Sequence, residues 1–214
     1  IETNMGIVWT THMRFEKSLL EDPVWQDAKE SGCKYLHFGY ESGNERVLRL
    51  MDKATTTAIM TEHLKRTAEA GIWNHCMGFF GFPGETREEA WSSVEFLEQN
   101  KDYVHSLGFG TFDLGRHNPV AKHPEKFGVT AYKNPEWDLA LDYYFTVKQG
   151  LSIEEAERVF EEFERNHNPG WDLRLFIREY IFLYIARFGL QKLPDLQYRA
   201  AKIAGAAPTL AGKM

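Results

Sequence analysis

An α/β fold of repeated βα units around a parallel sheet, followed by a helical C-terminal half, is what this sequence predicts. Three observations carry it. Over the first 115 residues short apolar runs alternate four times with longer amphipathic stretches. Helix starts and stops are marked by Pro, Gly and Ser/Thr-x-x-Glu signals at the expected places. Beyond Gly115 the rhythm gives way to Asn-Pro and His-Pro breaks and then to helical periodicity. The expected organisation is therefore a βα region over 1–115, a connecting loop over 116–135, a helical region over 136–203 and a frayed tail over 204–214.

Gly6 to Thr10 reads as the first strand, and Pro23 and Gly32 bracket a helix from about Asp22 to Ser31. Tyr35 to Phe38 is the second strand. Ser42 and Glu45 have the spacing of a capping box that opens a short helix to Met51, and a longer helix runs from Thr56 to Ala70 before Gly71. Asn74 to Phe80 is the third strand, broken by Gly81-Phe82-Pro83-Gly84. Thr86 and Glu89 form a second capping box for a helix to Gln99, and Ser106 to Leu114 is the fourth strand. Pro119, Pro124 and Pro135 exclude a continuous helix through the connecting loop. From Glu136 the pattern reads as helical, with a capping box at Ser152 and Glu155, a break at Asn168-Pro169-Gly170 and an apolar helix from Leu173 to Phe188.

Composition narrows the function classes. With 43% hydrophobic residues among 214, the chain has ample material for a core, which excludes disordered and fibrous proteins. Its net charge of −6 and the lack of any basic run give no support to nucleic-acid binding. The apolar stretch from Tyr180 to Ala186 is far shorter than the roughly 20 residues of a membrane span. No signal-peptide pattern opens the chain, so a cytoplasmic address is expected. Only two cysteines are present, Cys33 and Cys76, too far apart in sequence for a local metal motif. Because the chain opens Ile-Glu-Thr-Asn, it is expected to be a piece of something longer.

Parallel βα folds build their sites at the C-terminal ends of the strands, where loops and helix N-termini converge. Glu41 sits at such an end and is placed to accept hydrogen bonds from a diol or an ammonium, or else to form a local ion pair. Gly81 and Gly84, with Phe82 and Pro83 between them, let backbone lie against a flat ring, or simply make a tight turn. Arg14 is placed either to pair with a ligand carboxylate or to remain solvated. Among the eight histidines, His12, His37, His75, His117 and His123 fall on or near strands without ligand spacing. No metal ligand is assigned, and His37, His75 and both cysteines read as core residues.

Two segments carry a resemblance. Glu-Ser-Gly-Asn-Glu-Arg-Val-Leu-Arg-Leu-Met-Asp-Lys, Glu41 to Lys53, and Phe-Phe-Gly-Phe-Pro-Gly-Glu-Thr, Phe79 to Thr86, resemble the second half of a radical S-adenosylmethionine enzyme core, most of all its cobalamin-binding subclass. Trp9 with Arg14, the helix end Ala28 to Cys33, and Ala70-Gly71-Ile72 match in order and spacing, and the likeness extends over about residues 5 to 130. Pro124 to Val129 also looks like the segment after the last barrel strand in some of these proteins. The resemblance implies a partial TIM-like barrel, about four of six βα units, with S-adenosylmethionine lying across the strand ends. On that basis Glu41 with Ser42 matches the ribose or amino-acid contact. Gly81, Phe82 and Pro83 match the strand end against the adenine, and Arg14 matches a carboxylate contact.

One departure is large. The family's Cys-x-x-x-Cys-x-x-Cys segment, which holds a [4Fe-4S] cluster, has no counterpart here. The chain is thus expected to be the C-terminal part of an enzyme that, when intact, cleaves S-adenosylmethionine reductively to a 5'-deoxyadenosyl radical. With or without cobalamin, methyl or alkyl transfer or a rearrangement of a small-molecule substrate would follow, and the fragment alone would be inactive. Without the missing units the first strand would present an open edge for another chain. Two other readings stay open at this point: a non-catalytic barrel remnant that binds partners, and a βα hydrolase or isomerase using Glu41, Asp113 and His117 as acid and base.

Overall fold

The computed structural model describes residues 6–21, 23–132, 141–166 and 178–189. Four parallel strands, β1 (Trp9–Met13), β2 (Cys33–Glu41), β3 (Trp73–Phe80) and β4 (Ser106–Thr111), form one sheet in sequence order. Between them run α1 (Val24–Glu30), α2 (Glu45–Leu50), α3 (Thr57–Glu69) and α4 (Arg87–Gln99). Alternation along the strands splits the sheet into two faces. Leu36, Phe38 and Tyr40 of β2 are buried in one core with Trp25 of α1, Met60 and Leu64 of α3, and Phe96 and Leu97 of α4. On the other face His12, His37, His75 and Ser106 stand in one cross-strand row. His12 stacks on His37 at 4.4 Å, and His75 shares a 2.8 Å hydrogen bond with Ser106. His37 and His75 are buried, packed among Tyr35 and each other.

Several boundaries differ from the sequence reading, for physical reasons. β1 runs over Trp9–Met13 rather than Gly6 to Thr10, because pairing with β2 continues through the polar Thr11 and His12. Strand ends follow hydrogen-bond partners, which apolarity does not report. β4 stops at Thr111 rather than Leu114: the chain leaves the sheet after the Phe112 N–H bonds to the Phe80 carbonyl at 2.8 Å. The described part of the expected connecting loop, 116–132, is not a plain loop, since it holds the short α5 (Pro119–Lys122), capped by Asn118, and β5 (Val129–Tyr132). The region from Glu136 is not all helical, since β6 (Tyr144–Val147) pairs antiparallel with β5. Tyr144 and Thr146 are exposed while Phe145 is buried, a period of two that the helical reading overlooked. Helices α6 (Ile153–Asn166) and α7 (Arg178–Phe188) follow. The break at Asn168-Pro169-Gly170 and the tail over 204–214 lie outside the described residues.

The capping boxes divide. Thr86 with Glu89, and Ser152 with Glu155, make both reciprocal bonds. Ser42 with Glu45 makes none, because α2 starts later: Asn44 is its N-cap, accepting from Arg46 N and Val47 N. Glu45 instead caps α3, its Oε1 accepting from Thr57 N and Thr57 Oγ1 at 2.8 Å. Ser42 is fully buried and shares a 3.0 Å hydrogen bond with Ser93 of α4. The Gly43 N–H donates to the same hydroxyl at 2.9 Å, and the Tyr40 hydroxyl donates to the Ser93 carbonyl at 2.8 Å.

After β3 the chain turns through Gly81 (φ 86°) and Gly84 (φ 88°). The turn is pinned from inside by Glu85, which is completely buried. Its Oε2 accepts from Gly81 N at 2.5 Å, whereas Oε1 has no partner. Burial pushes the Glu85 pKa up to about 7, against the opposing pull of the Gly81 and Phe82 N–H groups.

Two predictions follow from this packing. A Cβ on Gly43 would stand 2.7 Å from Phe96 Cβ and 2.9 Å from Ser93 Cα, besides meeting the Tyr40 hydroxyl, whereas one on Gly110 meets nothing within 4 Å. Gly43→Ala should therefore cost about 2–3 kcal/mol in urea unfolding, and Gly110→Ala should stay within about 0.5 kcal/mol. For Glu85, a folded pKa above the ordinary carboxyl value means that its contribution is complete below about pH 4.5, fades as pH rises through about 7 and stays lost above. Glu89, whose pKa is held down by Arg46, runs the opposite way. Relative to Glu85→Gln, the wild type should thus lose on the order of 3 kcal/mol across that window. Parallel stability curves for the two proteins would show that Glu85 does not titrate there.

Candidate functional site at the strand ends

A cavity of about 490 Å³ opens at the C-terminal ends of the strands, and its wall includes Arg14, Glu41, Lys53, Phe82, Asp113 and Phe127. Glu41 is set there by backbone geometry. It is one of two non-glycine residues with positive φ among those described, at 62°, and the β2–β3 register slips between Gly39 and Glu41. The carboxylate lies over Gly39, where a Cβ would come within 3.0 Å of Oε1. Lys53 Nζ donates to that oxygen at 2.9 Å, and Oε2 has no hydrogen-bond partner among the described residues. Both side chains remain partly exposed to the cavity, 21% for Glu41 and 30% for Lys53.

Of the residues singled out in the sequence, Arg14, Glu41 and Phe82 line this cavity, together with Asp113. Ser42, Gly81 and Pro83 do not, and all three are buried. Ser42 is engaged by Ser93, and its hydroxyl accepts from Asn44 N at 3.2 Å. Gly81 faces α6, since a Cβ there would come within 2.5 Å of the Ala156 methyl. Its glycine character thus serves helix packing. His117 is exposed and lies outside the cavity wall, so Glu41, Asp113 and His117 do not line one cavity.

Lys53, Phe79 and Phe127 were missed as site residues although each stands inside a segment already singled out. Glu85 was missed as well, and no spacing signal marks a carboxylate that folds back under its own turn. Arg46 joins the two strand-end loops: its guanidinium chelates the Glu89 carboxylate and donates to the Gly84 carbonyl at 2.6 Å.

Cys33 and Cys76 are both buried in strands, and burial pushes the Cys33 thiol up to about 11 and Cys76 higher still. Among the described residues no three His, Cys, Asp or Glu side chains are grouped to hold a metal ion. These residues do not fit an iron-sulfur cluster. No described helix is long and apolar enough to cross a membrane. The strand-end cavity, by contrast, is of mixed charge, lined by Glu41, Asp52 and Asp113, by the cations of Arg14 and Lys53, and by four phenylalanine rings.

Comparison with known proteins places this geometry. An uncharacterized methyltransferase of Pyrococcus horikoshii is 31% identical over 100 residues, covering 46% of this chain and 21% of its own length. The cytidylyl-2-hydroxyethylphosphonate methyltransferase of Streptomyces wedmorensis is 26% identical over 179 residues, 78% of this chain and 33% of that protein. The chain thus spans about a third or less of the curated relatives it matches. In fold it resembles the cobalamin-dependent S-adenosylmethionine radical enzyme OxsB, with a TM-score of 0.56 at 12% identity over 94% of this chain and 35% of that one. Residues 4–97 match the model of the radical SAM superfamily, a stretch that takes in β1, β2 and β3 with the helices between them.

Proposed function

We propose that the strand-end cavity holds S-adenosylmethionine and that the chain forms the distal part of the catalytic core of a radical methyltransferase. The observation that carries this reading is Glu41: a carboxylate fixed at the strand end in the cavity wall, one oxygen on Lys53 and the other without a partner among the described residues. Oε2 accepts from a ribose hydroxyl or from the methionyl ammonium. Lys53 and Arg14 complement the methionyl carboxylate, and Phe79, Phe82 and Phe127 exclude water around the adenine. Ser42, Gly81 and Pro83 act one step back, holding the loops that carry these groups.

The [4Fe-4S] cluster, which supplies the electron for reductive cleavage in this superfamily, is held on this reading by cysteines that are not among these 214 residues. Methyl transfer is supported by the two curated relatives, both methyltransferases. Cobalamin use is supported only by likeness of fold to OxsB. The substrate is a small molecule.

Isothermal titration with S-adenosylmethionine tests the cavity. Glu41→Gln and Glu41→Ala should weaken binding about tenfold or more, with urea midpoints close to the wild type. In the intact parent, cluster assembly should be unchanged. Unaltered affinity would refute the role of Glu41.

The outer edge of β1 is bonded to no other strand among the described residues, and Ile7 and Val8 beside it are 55% and 40% exposed. On this reading a further strand pairs there. In the isolated chain, hydrogen exchange along Trp9 to Met13 should slow with rising concentration as copies pair. Concentration-independent exchange in a strict monomer would remove that expectation.

A further inference from the structure

Beside the first cavity lies a second of about 340 Å³, set between the end of β4, the start of β6 and the first turns of α6. Thr111, Phe112 and Asp113 line both, so the two cavities share a wall. Phe112 stands in that wall, edge-on to Phe145 with ring centroids 5.7 Å apart and 5.6 Å from Phe79 on the other side. The second cavity is otherwise lined by aromatic and apolar groups, Tyr143 and Tyr144 among them.

Its charges have one sign. Asp113, Asp142 and Glu157 line it, with no Lys or Arg among the described residues, whereas the first cavity sets Arg14 and Lys53 against its carboxylates. None of the three forms an ion pair among the described residues. Asp113 and Asp142 are close enough to interact, since the Asp113 carboxyl is pushed up first by burial and then by the Asp142 charge. Like charges held uncompensated around an aromatic hollow repel one another, and a cation relieves that repulsion while gaining the ring faces. An anion entering the same space meets three carboxylates and no counter-charge among the described residues.

We propose that the second cavity binds an organic cation, an ammonium carried on an apolar or aromatic body, and that this is the substrate class presented across Phe112 to the cofactor. The assignment as substrate rests on reading the first cavity as the S-adenosylmethionine site. A phosphate- or phosphonate-bearing substrate is selected against.

A matched pair of probes tests this. Phenethylamine and phenylphosphonate are titrated into the 214-residue chain, and S-adenosylhomocysteine separately, using the wild type, Asp142→Asn, Glu157→Gln and Glu41→Gln. The amine should bind in preference to the phosphonate and weaken as salt is raised. Asp142→Asn and Glu157→Gln should each weaken the amine about three- to fivefold and leave S-adenosylhomocysteine unchanged. Glu41→Gln should do the reverse. A phosphonate that binds as well as the amine, or amine binding indifferent to both carboxylate variants, overturns the proposal. Carboxylate-dependent amine binding in a chain that fails to take S-adenosylhomocysteine overturns the assignment as substrate and the reading of the first cavity, leaving only a cation site.

Discussion

The geometry of the site depends on one close approach, that of the loop after β2 to helix α4. Gly43 has no side chain where Phe96 and Ser93 crowd in, so the backbone can come near enough for the Ser93 hydroxyl to take its N–H. Tyr40 and Ser42 tie to the same residue of the helix. With Tyr40 and Ser42 both fixed, the residue between them has little freedom left. Glu41 takes a left-handed conformation that costs a non-glycine residue on the order of 1 kcal/mol. The three ties to Ser93 offset that cost and turn the Glu41 carboxylate over Gly39. A functional group is thus oriented by contacts that never touch the cavity.

A second layer locks the two strand-end loops to each other. Arg46 lies in the first turn of α2, after β2, while Glu89 and Gly84 belong to the helix and turn after β3, and their hydrogen bonds connect what the chain separates by some forty residues. Asn44 adds a bond to Ser92 at 3.1 Å. From below, Glu85 holds the second turn through Gly81, and α6 presses Ala156 into the space that Gly81 leaves. Lys53 and Phe82, which do reach the cavity, are carried on segments whose other polar residues are occupied with holding them. Such a division explains why motifs so rich in polar residues supply few free ones.

What the sequence made legible follows from the same physics. The βα rhythm was readable because alternating strands and amphipathic helices leave periodic apolar signatures, and the capping box at Thr86 was readable because both partners are local. Glu41 was legible as a carboxylate at a strand end. The β5–β6 hairpin was not, since Tyr144 to Val147 is short and its partner strand lies across a long connection. The box inferred at Ser42 failed because a tertiary partner, Ser93, competes for the hydroxyl. Gly81 read as a ring-facing glycine, although the residue that needs the space comes from α6, 75 positions later in the chain. In each miss the deciding contact is remote in sequence.

The charge pattern of the two cavities links them. Asp113 is the one ionisable residue that lines both among those described, and burial and then the Asp142 charge raise its pKa above the ordinary carboxyl value. A sulfonium in the first cavity and an ammonium in the second would each favour the charged form. On the reading proposed here, the Asp113 carboxylate stands between the two ligands. Two cations that repel directly across Phe112 then bind with less antagonism than their charges imply, because one carboxylate between them serves both. The −6 net charge of the chain adds a weaker attraction of the same sign for either ligand.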